Sequence, residues 1–305
     1  MSELILRGSA PGAGFAPVRG GAVSGWVRGV LAPGRELTLV PILTHPGADI
    51  GQVADVVGVV PAYRRPMPDY VTLDVIDRPP GGVRRAFGAI KSLRQADLPG
   101  MRGLVALRTG AFVPSGMPAP TMRRMAVLAA WDAPDAVDPR WPGTLDEIGS
   151  EAGEHWHLEA ELARAAFSAP WRGWMPDIDG ARKLDDDEPA VILISGDLRA
   201  RYAPAFYWNG VAAVRQAARQ PGYLGGLFVT SSPLNTTSCS CWRTYADARA
   251  YAFGPGGHRV AMRRDRKGAH HSREYFMRLR PLVERGSLAG AAPLADVLAA
   301  RRVAA

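Results

Sequence analysis

The sequence predicts an α+β fold in which two βαββαβ units follow one another along the chain. Residues 188–282 contain, in order, a strand, a helix, two strands, a helix and a strand, which is the split βαβ or ferredoxin-like arrangement. The same order can be read again over residues 69–164. Since an internal repeat decides the architecture, we interpret the chain as a tandem duplication.

The second unit follows from its apolar periodicity. Val191–Ser195 is a short apolar run that predicts a buried strand. Ala205–Arg219 has apolar residues at helical spacing up to a Pro-Gly stop. Leu224–Ser231 and Thr236–Trp242 are then predicted to form a hairpin. A helix is predicted at Thr244–Phe253, with a break at Gly254–Gly257 and a continuation at His258–Arg266. The last predicted element is a strand at Arg273–Leu282.

The first unit repeats this order with different residues. Tyr70–Ile76 alternates β-forming side chains, and Gly82–Ala96 carries apolar residues on one helical side. Met122–Trp131 parallels the strand that ends at Trp242, because both end on a tryptophan followed by a polar helix start. A short helix around Thr144–Gly153 and a strand around Trp156–Leu162 complete the predicted unit.

The repeat predicts how the two sheets pack. A four-stranded antiparallel sheet with both helices on one face leaves its other face bare, and these strands are too apolar to leave that face in water. We therefore expect the two ferredoxin-like repeats to pack sheet-to-sheet as an internal α+β barrel. A cavity between the sheets is the expected place for a large apolar ligand.

Domain boundaries follow from the same interpretation. Residues 1–66 are predicted to be an N-terminal extension packed on the first repeat, with one strand at Glu36–Leu43. The first repeat spans 67–176, an acidic linker 177–188, the second repeat 189–294 and a C-terminal tail 295–305. Adjacent acidic side chains repel one another, so the linker is expected to be exposed and mobile.

Composition limits the classes of partner. The net charge of +8 comes mostly from arginine, and an arginine-rich composition accounts for it. The basic clusters lack interleaved aromatic residues, so we expect no nucleic-acid partner. We expect no membrane span, because no apolar run is long enough for one, and no signal peptide. Cys239 and Cys241 have poor spacing for a disulfide, so reduced thiols and a cytoplasmic location are expected.

Histidines are the candidate chemical groups, because no Walker, HExxH or GxSxG motif occurs. His258 opens the second piece of the broken helix, with Met262 one turn on, and a helix would hold its imidazole rigidly for haem iron. A structural histidine is the alternative. His155 and His157 share one face of a predicted strand. His270–His271 precedes the last strand, where a solvated pair is the alternative.

Short motifs spread over residues 87–294 resemble the spheroidene monooxygenase family of bacterial oxygenases. In the first unit they are Leu98–Arg102, Leu107–Gly110, Met125–Asp132 and Trp171–Trp174. In the second they are Phe206–Trp208, Ser240–Trp242, Ala250–Phe253 followed by His258, Phe276–Pro281, Gly286 and Gly290–Leu294. Their order and spacing carry the resemblance, since no single motif is specific.

The resemblance implies a tandem ferredoxin-like fold related to dimeric α+β barrels. It also implies haem b as cofactor and oxygen insertion into an apolar substrate, with O₂ or another oxidant as co-substrate. His258 matches a family histidine that follows an aromatic stretch, so it is the expected axial ligand of the iron, with Met262 nearby. Candidate residues for the aromatic lining of the haem site are Phe206, Trp208, Trp242 and Phe276.

The resemblance also bears on proton transfer and substrate. His270 or His271 is the candidate distal acid–base group, because oxygen chemistry at haem needs a proton donor. The family's aromatic Trp-Phe pair before the last strand is replaced by Ala269–Ser272. That change suggests a smaller, partly functionalised small molecule from specialised metabolism.

Two other functions fit the residues. One is a cofactor-free monooxygenase or cyclase of the same barrel class that orients its substrate and moves protons with histidine. The other is a protein that binds an apolar ligand without catalysis. The haem-dependent enzyme would have an electron donor protein as a further partner, and the chain is compatible with a monomer or a homodimer.

Overall fold

The structure is a computed structural model, and it describes residues 23–26, 41–43, 69–77, 88, 90, 98, 100–112, 118–138, 141, 145, 153–232, 234–255, 270–287 and 290–304. The chain forms two compact units, residues 1–65 and 66–305. In the first unit, β1 (Val23–Trp26) pairs antiparallel with β2 (Pro41–Leu43). β2 falls within the predicted strand Glu36–Leu43. That this extension packs on the first repeat stays a prediction.

The second unit contains a closed barrel of eight antiparallel strands. In chain order they are β3 (Tyr70–Asp77), β4 (Met101–Phe112), β5 (Pro118–Trp131), β6 (Glu154–Phe167), β7 (Ala190–Leu198), β8 (Tyr223–Ser232), β9 (Asn235–Trp242) and β10 (His271–Gly286). Around the barrel they run β10-β6-β3-β5-β4-β8-β9-β7, and β7 closes the ring by pairing with β10.

The two halves of the barrel have the same strand order. We call β3–β6 the first half and β7–β10 the second half. In each half the first strand lies between the fourth and the third, and the second strand lies beyond the third. The halves join edge to edge, because β4 pairs with β8 and β6 pairs with β10. The predicted α+β class is therefore confirmed, and the strands form one large antiparallel sheet. The tandem duplication remains a proposal.

Three helices are described over their length: α1 (Ala203–Ala217), α2 (Tyr245–Phe253) and α3 (Ala295–Ala304). Thr244 caps α2, since its hydroxyl accepts a hydrogen bond from the Asp247 amide at 3.1 Å. Of the predicted first-half helices, the described positions Gly88, Ile90 and Leu145 are helical. The predicted continuation after α2, residues 258–266, lies outside the described residues. None of the described helices is long and apolar enough to cross a membrane.

The inward positions of the barrel are filled by apolar side chains. Every strand contributes buried members to one cluster, among them Val71, Val105, Leu128, Leu158, Leu193, Leu227, Cys239 and Met277. An eight-stranded barrel has an interior just wide enough for its own side chains. The expected open cavity between the sheets is therefore wrong for the described strands, because the core occupies that space.

Both ends of this core involve residues outside the strands. Trp171 stacks on Tyr275 at 5.3 Å between ring centroids, and Trp174 lies in the same cluster. Leu294 and Leu298 also belong to it. Residues 295–304 of the predicted tail therefore form a helix that contributes to the barrel core.

The acidic linker is only partly exposed. Asp185, Asp186 and Asp187 are exposed as expected. Glu188 is buried, however, and its carboxylate accepts hydrogen bonds from Arg182 and from Nε of Arg280, the latter at 3.3 Å. The expectation of exposure is therefore wrong at Glu188, because a buried carboxylate is retained where cations pair with it.

The two cysteines are buried free thiols on β9 that point into the barrel. A hydrogen bond with Cys239, together with burial, raises the pKa of the Cys241 thiol well above its ordinary value. Because its thiol stays protonated, Cys241 is unreactive. Both cysteines belong to the core cluster.

Candidate functional sites

Outward-pointing side chains are the ones available for chemistry, since the barrel interior is packed. The first strand of each half begins opposite a tryptophan that ends the third strand (Tyr70 opposite Trp131, Ala190 opposite Trp242). Counting four residues from that start places Asp74 of β3 and Ile194 of β7 at equivalent outward positions. The surroundings of these two residues differ in kind.

An apolar row crosses the outer face of the second half at Ile194. In the sheet register, Ile194 lies opposite Phe276 of β10 and Ser238 of β9, and Ser238 lies opposite Phe228 of β8. Phe228 is buried, whereas Ile194 is 40% exposed. A large aliphatic residue this exposed in the middle of a central strand shows that the helices do not fully cover this face.

Helix α1 packs loosely beside this row. Of its 15 residues, only Ala217 is buried. Tyr207 packs edge-to-face against Phe228 at 6.2 Å between ring centroids, and burial raises the pKa of its hydroxyl. The neighbouring Phe206 packs against the ring of His271 at 5.1 Å. The N-terminal part of α1 and the row therefore border a partly open apolar strip.

The two adjacent histidines have different environments. The ring of His271 covers Gly196, where an added Cβ would lie 2.3 Å from its Cδ2. Nδ1 of His271 is 3.6 Å from Oε1 of Glu274. His270 is nearly buried and packs against Tyr202 at 4.9 Å between ring centroids. His271 therefore borders the apolar strip, and His270 belongs to the packed layer beside it.

The remaining predicted site residues do not all meet here. Phe276 is half-buried in the row, but Trp208 is 76% exposed on α1. Trp242 is buried in a separate small cluster, 5.3 Å from Tyr223 and 5.1 Å from Tyr251 between ring centroids. The structure thus places Phe206, Phe276 and His271 along one strip and Trp242 outside it. His258 and Met262 lie outside the described residues.

A polar cluster occupies the equivalent place in the first half. Asp74 is completely buried. Its Oδ1 lies 2.9 Å from Nε2 of His155 and 2.7 Å from Nδ1 of His157. His157 is the direct cross-strand partner of Asp74 on β6, and His155 reaches the same oxygen diagonally. Both imidazoles therefore share one carboxylate oxygen.

His157 bridges two carboxylates. Its second ring nitrogen, Nε2, is 3.3 Å from Oε1 of Glu159. Burial alone would lower the pKa of His157, but its hydrogen bonds and charge interactions with Asp74 and Glu159 outweigh burial and raise the pKa above its ordinary value. An imidazole with a carboxylate at each nitrogen donates at both, so we assign His157 as the charged imidazolium.

Glu159 connects this cluster to the next strands. Its carboxylate accepts a hydrogen bond from the Tyr70 hydroxyl and pairs with Nη1 of Arg285 at 3.1 Å. Burial would raise the pKa of Glu159, but Tyr70, His157 and Arg285 together lower it. Burial and the nearby Glu159 carboxylate raise the pKa of the Tyr70 hydroxyl. Glu159 is therefore a carboxylate, and Tyr70 is its neutral donor.

Two atoms of the cluster have no hydrogen-bond partner within the described part of the chain. One is Oδ2 of Asp74, which is buried. The other is Nδ1 of His155, because the only side-chain partner of this ring is Asp74 at Nε2. The His155 side chain is 28% exposed, so solvent and small molecules reach it. Among the described residues, no group of three or more ligating side chains has an arrangement that could hold a metal ion.

The sequence contained part of the signal for this cluster. His155 and His157 were expected to share a face, and they do. Asp74 was missed because Tyr70–Ile76 reads as an ordinary β-forming run. The informative feature is a carboxylate at an outward position of a central strand, which is costly to bury unless partners face it. Only the strand register shows that the two histidines are those partners.

Comparisons with known proteins give weak likenesses. No family model and no curated protein matches the chain. Among solved structures, an aldoxime dehydratase in complex with butyraldoxime is 11% identical, with 74% of this chain and 86% of that chain covered and a TM-score of 0.46. An anthrone oxidase-like protein is 13% identical, with 73% of this chain and 95% of that chain covered and a TM-score of 0.28. A haem-degrading enzyme from Listeria monocytogenes is 11% identical, with 68% of this chain and 98% of that chain covered and a TM-score of 0.24. At these TM-scores the likenesses carry no argument about function, and membership of the spheroidene monooxygenase family is not shown.

Proposed function

We propose that this protein is a haem-dependent oxygenase-like enzyme that acts on a small apolar or partly functionalised molecule. The observation that supports this best is the half-exposed apolar row at Ile194 beside α1. A flat macrocycle needs an apolar surface against one of its faces, and a loosely covered sheet offers such a surface. The proposed haem site is therefore the outer face of the second half, in place of the space between the sheets.

The described residues fit the periphery of a haem. Ile194 and Phe276 present apolar side chains from neighbouring strands, and Phe206 does so from α1. The proposed axial ligand is His258, which follows α2 closely in the chain, with Met262 beside it. Trp208 is the least supported of the proposed lining residues because of its exposure, and Trp242 supports the layer beneath α2.

The chain's own residues have separable roles in this proposal. Haem, when bound, supplies oxygen and redox chemistry. The apolar strip orients the substrate and excludes water from it. His271 is the preferred proton donor, because it borders the strip and has Glu274 beside Nδ1, whereas His270 packs against Tyr202.

Further parts of the proposal concern origin and setting. The common strand order of the two halves supports a tandem duplication of one ferredoxin-like unit. Buried free thiols fit a reducing, cytoplasmic compartment. We include O₂ or another oxidant as co-substrate and an electron donor protein as partner, since monooxygenation consumes reducing equivalents.

The test is a pyridine haemochrome assay on protein expressed with a haem precursor. We expect the parent to bind haem and His258→Ala to lose most of it. Ile194→Arg should lower haem content on the order of tenfold, because it would bury a charge against the macrocycle. The matched control is Ile178→Arg, since Ile178 is 45% exposed and lies outside the strip. His271→Ala should keep haem and lose turnover.

Two results would overturn the proposal, and a third would change its iron ligand. A parent that binds no haem would favour the cofactor-free monooxygenase or cyclase. Equal haem content in Ile194→Arg and Ile178→Arg would remove the apolar row from the site. Full retention by His258→Ala would reassign the iron ligand to His270 or His271.

A further inference from the structure

We propose that the outer face of the first half carries a second, separate catalytic site, where His155 acts as a general base positioned by Asp74. The substrates are uncharged carbonyl compounds with an acidic C–H bond, which the site converts to enolates. This proposal is independent of haem, because it rests on the Asp74 cluster alone.

The hydrogen bond to Asp74 fixes the tautomer of His155. Nε2 lies 2.9 Å from a carboxylate oxygen, so this nitrogen carries the proton. Nδ1 then carries the lone pair, and it has no partner among the described residues. Because the side chain is 28% exposed, that lone pair is accessible. A buried carboxylate behind a half-exposed imidazole is the arrangement that general base catalysis requires.

His157 contributes charge rather than a proton. Both of its nitrogens face carboxylates, at 2.7 Å from Asp74 and 3.3 Å from Glu159, so both N–H groups are occupied. Its positive charge is therefore fixed beside the base. A fixed positive charge near the reacting centre stabilises the negative charge that develops on an enolate oxygen.

The charged groups on this outer face leave no net charge. They are two carboxylates (Asp74, Glu159) and two cations (His157, Arg285), joined in one network. Because these charges balance, the site offers no unpaired cation to an anionic substrate, and an uncharged ketone becomes negative only during the reaction.

The proton transfer balances without any co-reactant. The C–H bond next to the carbonyl breaks, and Nδ1 of His155 gains the proton. The electron pair of that bond stays on the substrate and forms the enolate. Return of the proton to the same or another carbon gives exchange or isomerisation, so no oxidant or reductant is consumed.

The test uses 2-tetralone, an uncharged ketone, in D₂O, with loss of its α-proton signal followed by ¹H NMR. We expect the full-length protein to exceed free imidazole at equal concentration by about 100-fold, the lower end of the range for a positioned base. His155→Ala should lose at least about tenfold, and added imidazole should restore part of the rate. His45→Ala is the matched histidine control and should leave the rate unchanged.

Asp74→Asn tests positioning. In the parent, ¹⁵N NMR of the His155 ring should show the proton on Nε2. In Asp74→Asn the ring should become a mixture of tautomers, with a slower exchange rate while the far-UV spectrum is kept. A parent no faster than imidazole, an unchanged rate in His155→Ala, or an unchanged tautomer in Asp74→Asn would each overturn the proposal. None of these readings depends on whether haem is bound.

Discussion

The two halves of the barrel place opposite chemistry at equivalent positions. Asp74 and His157 face each other across β3 and β6 in the first half, and Ile194 and Phe276 do so across β7 and β10 in the second. The first pair is an ion pair between a fully buried carboxylate and a partly buried imidazole, and the second is an apolar pair that remains partly exposed. The strand order is the same in both, so the fold tolerates either solution.

From this difference we infer that a sheet of this strand order does not need the Asp74 cluster in order to form. If a sheet of this order needed an ion pair here, the second half would need one as well. Burying a carboxylate and an imidazolium costs desolvation, and their attraction often does no more than offset it. A cluster that is present in one half and absent from the other is therefore better explained by chemistry than by stability.

The largest expected change in the free energy of unfolding comes from replacing residues of the first half with those at the equivalent positions of the second half. Asp74→Ile alone should lower the free energy of unfolding by about 3 kcal/mol, because it leaves His157 charged and partly buried beside Glu159 only. Asp74→Ile with His157→Phe should return to within about 1 kcal/mol of the parent, since an apolar pair can replace a buried ion pair. Urea unfolding of the three proteins measures both values.

The control for this comparison lies in the second half. Ile194→Asp should lower the free energy of unfolding by only about 1 kcal/mol. Ile194 is 40% exposed, so a carboxylate at this position would keep much of its hydration. If the double variant of the first half were as unstable as the sum of its single changes, the ion pair would be structural and the comparison would fail.

A smaller effect on the free energy of unfolding is expected for a substitution at Gly196, whose equivalent in the first half is Ile76. Ile76 lies opposite His155 and carries a full, buried side chain, so the backbone there does not require glycine. At Gly196 the three atoms nearest to an added Cβ all belong to the His271 ring. Gly196→Ala should lower the free energy of unfolding by about 2 kcal/mol through overpacking. Combining it with His271→Ala should recover most of that loss; no recovery would show that backbone conformation, and not the ring, sets the requirement.

Much of the fold could be predicted from the sequence because most of the barrel strands have a local signal of their own. The runs at Tyr70–Ile76 and Val191–Ser195 alternate or concentrate apolar residues, and both lie within observed strands. The closing of the barrel could not be predicted in detail. Whether two sheets meet by faces or by edges depends on the β4–β8 and β6–β10 pairings, which join residues far apart in the chain.

The candidate sites were less predictable, for the same physical reason. Phe206, Phe276 and His271 were chosen as aromatic or titratable residues, and tertiary packing decided that they share a strip while Trp242 does not. Asp74 has no local signal at all, since its role depends on cross-strand partners more than 80 residues away. Register is a long-range property, and single residues do not encode it.

The smallest expected effect is on the pH dependence of the free energy of unfolding. It distinguishes His157 from Phe276, which occupies the equivalent position in the second half. The pKa of His157 is raised above 6.5 in the folded protein, so its contribution to stability is fully present below pH 6.5 and is lost as the pH rises through the folded pKa. The stability difference between the parent and His157→Gln should therefore shrink, by on the order of 1 kcal/mol, between about pH 6 and about pH 9.

The pH dependence expected from Glu159 has the opposite sign, because its lowered pKa gives stability that is present above pH 4.5 and is lost as the pH falls through the folded pKa. Phe276→Leu, which removes no titrating group, should give a difference that is constant over the same range, as measured by urea unfolding at each pH. A constant difference for His157→Gln as well would mean that the imidazole is not the charged bridge between Asp74 and Glu159.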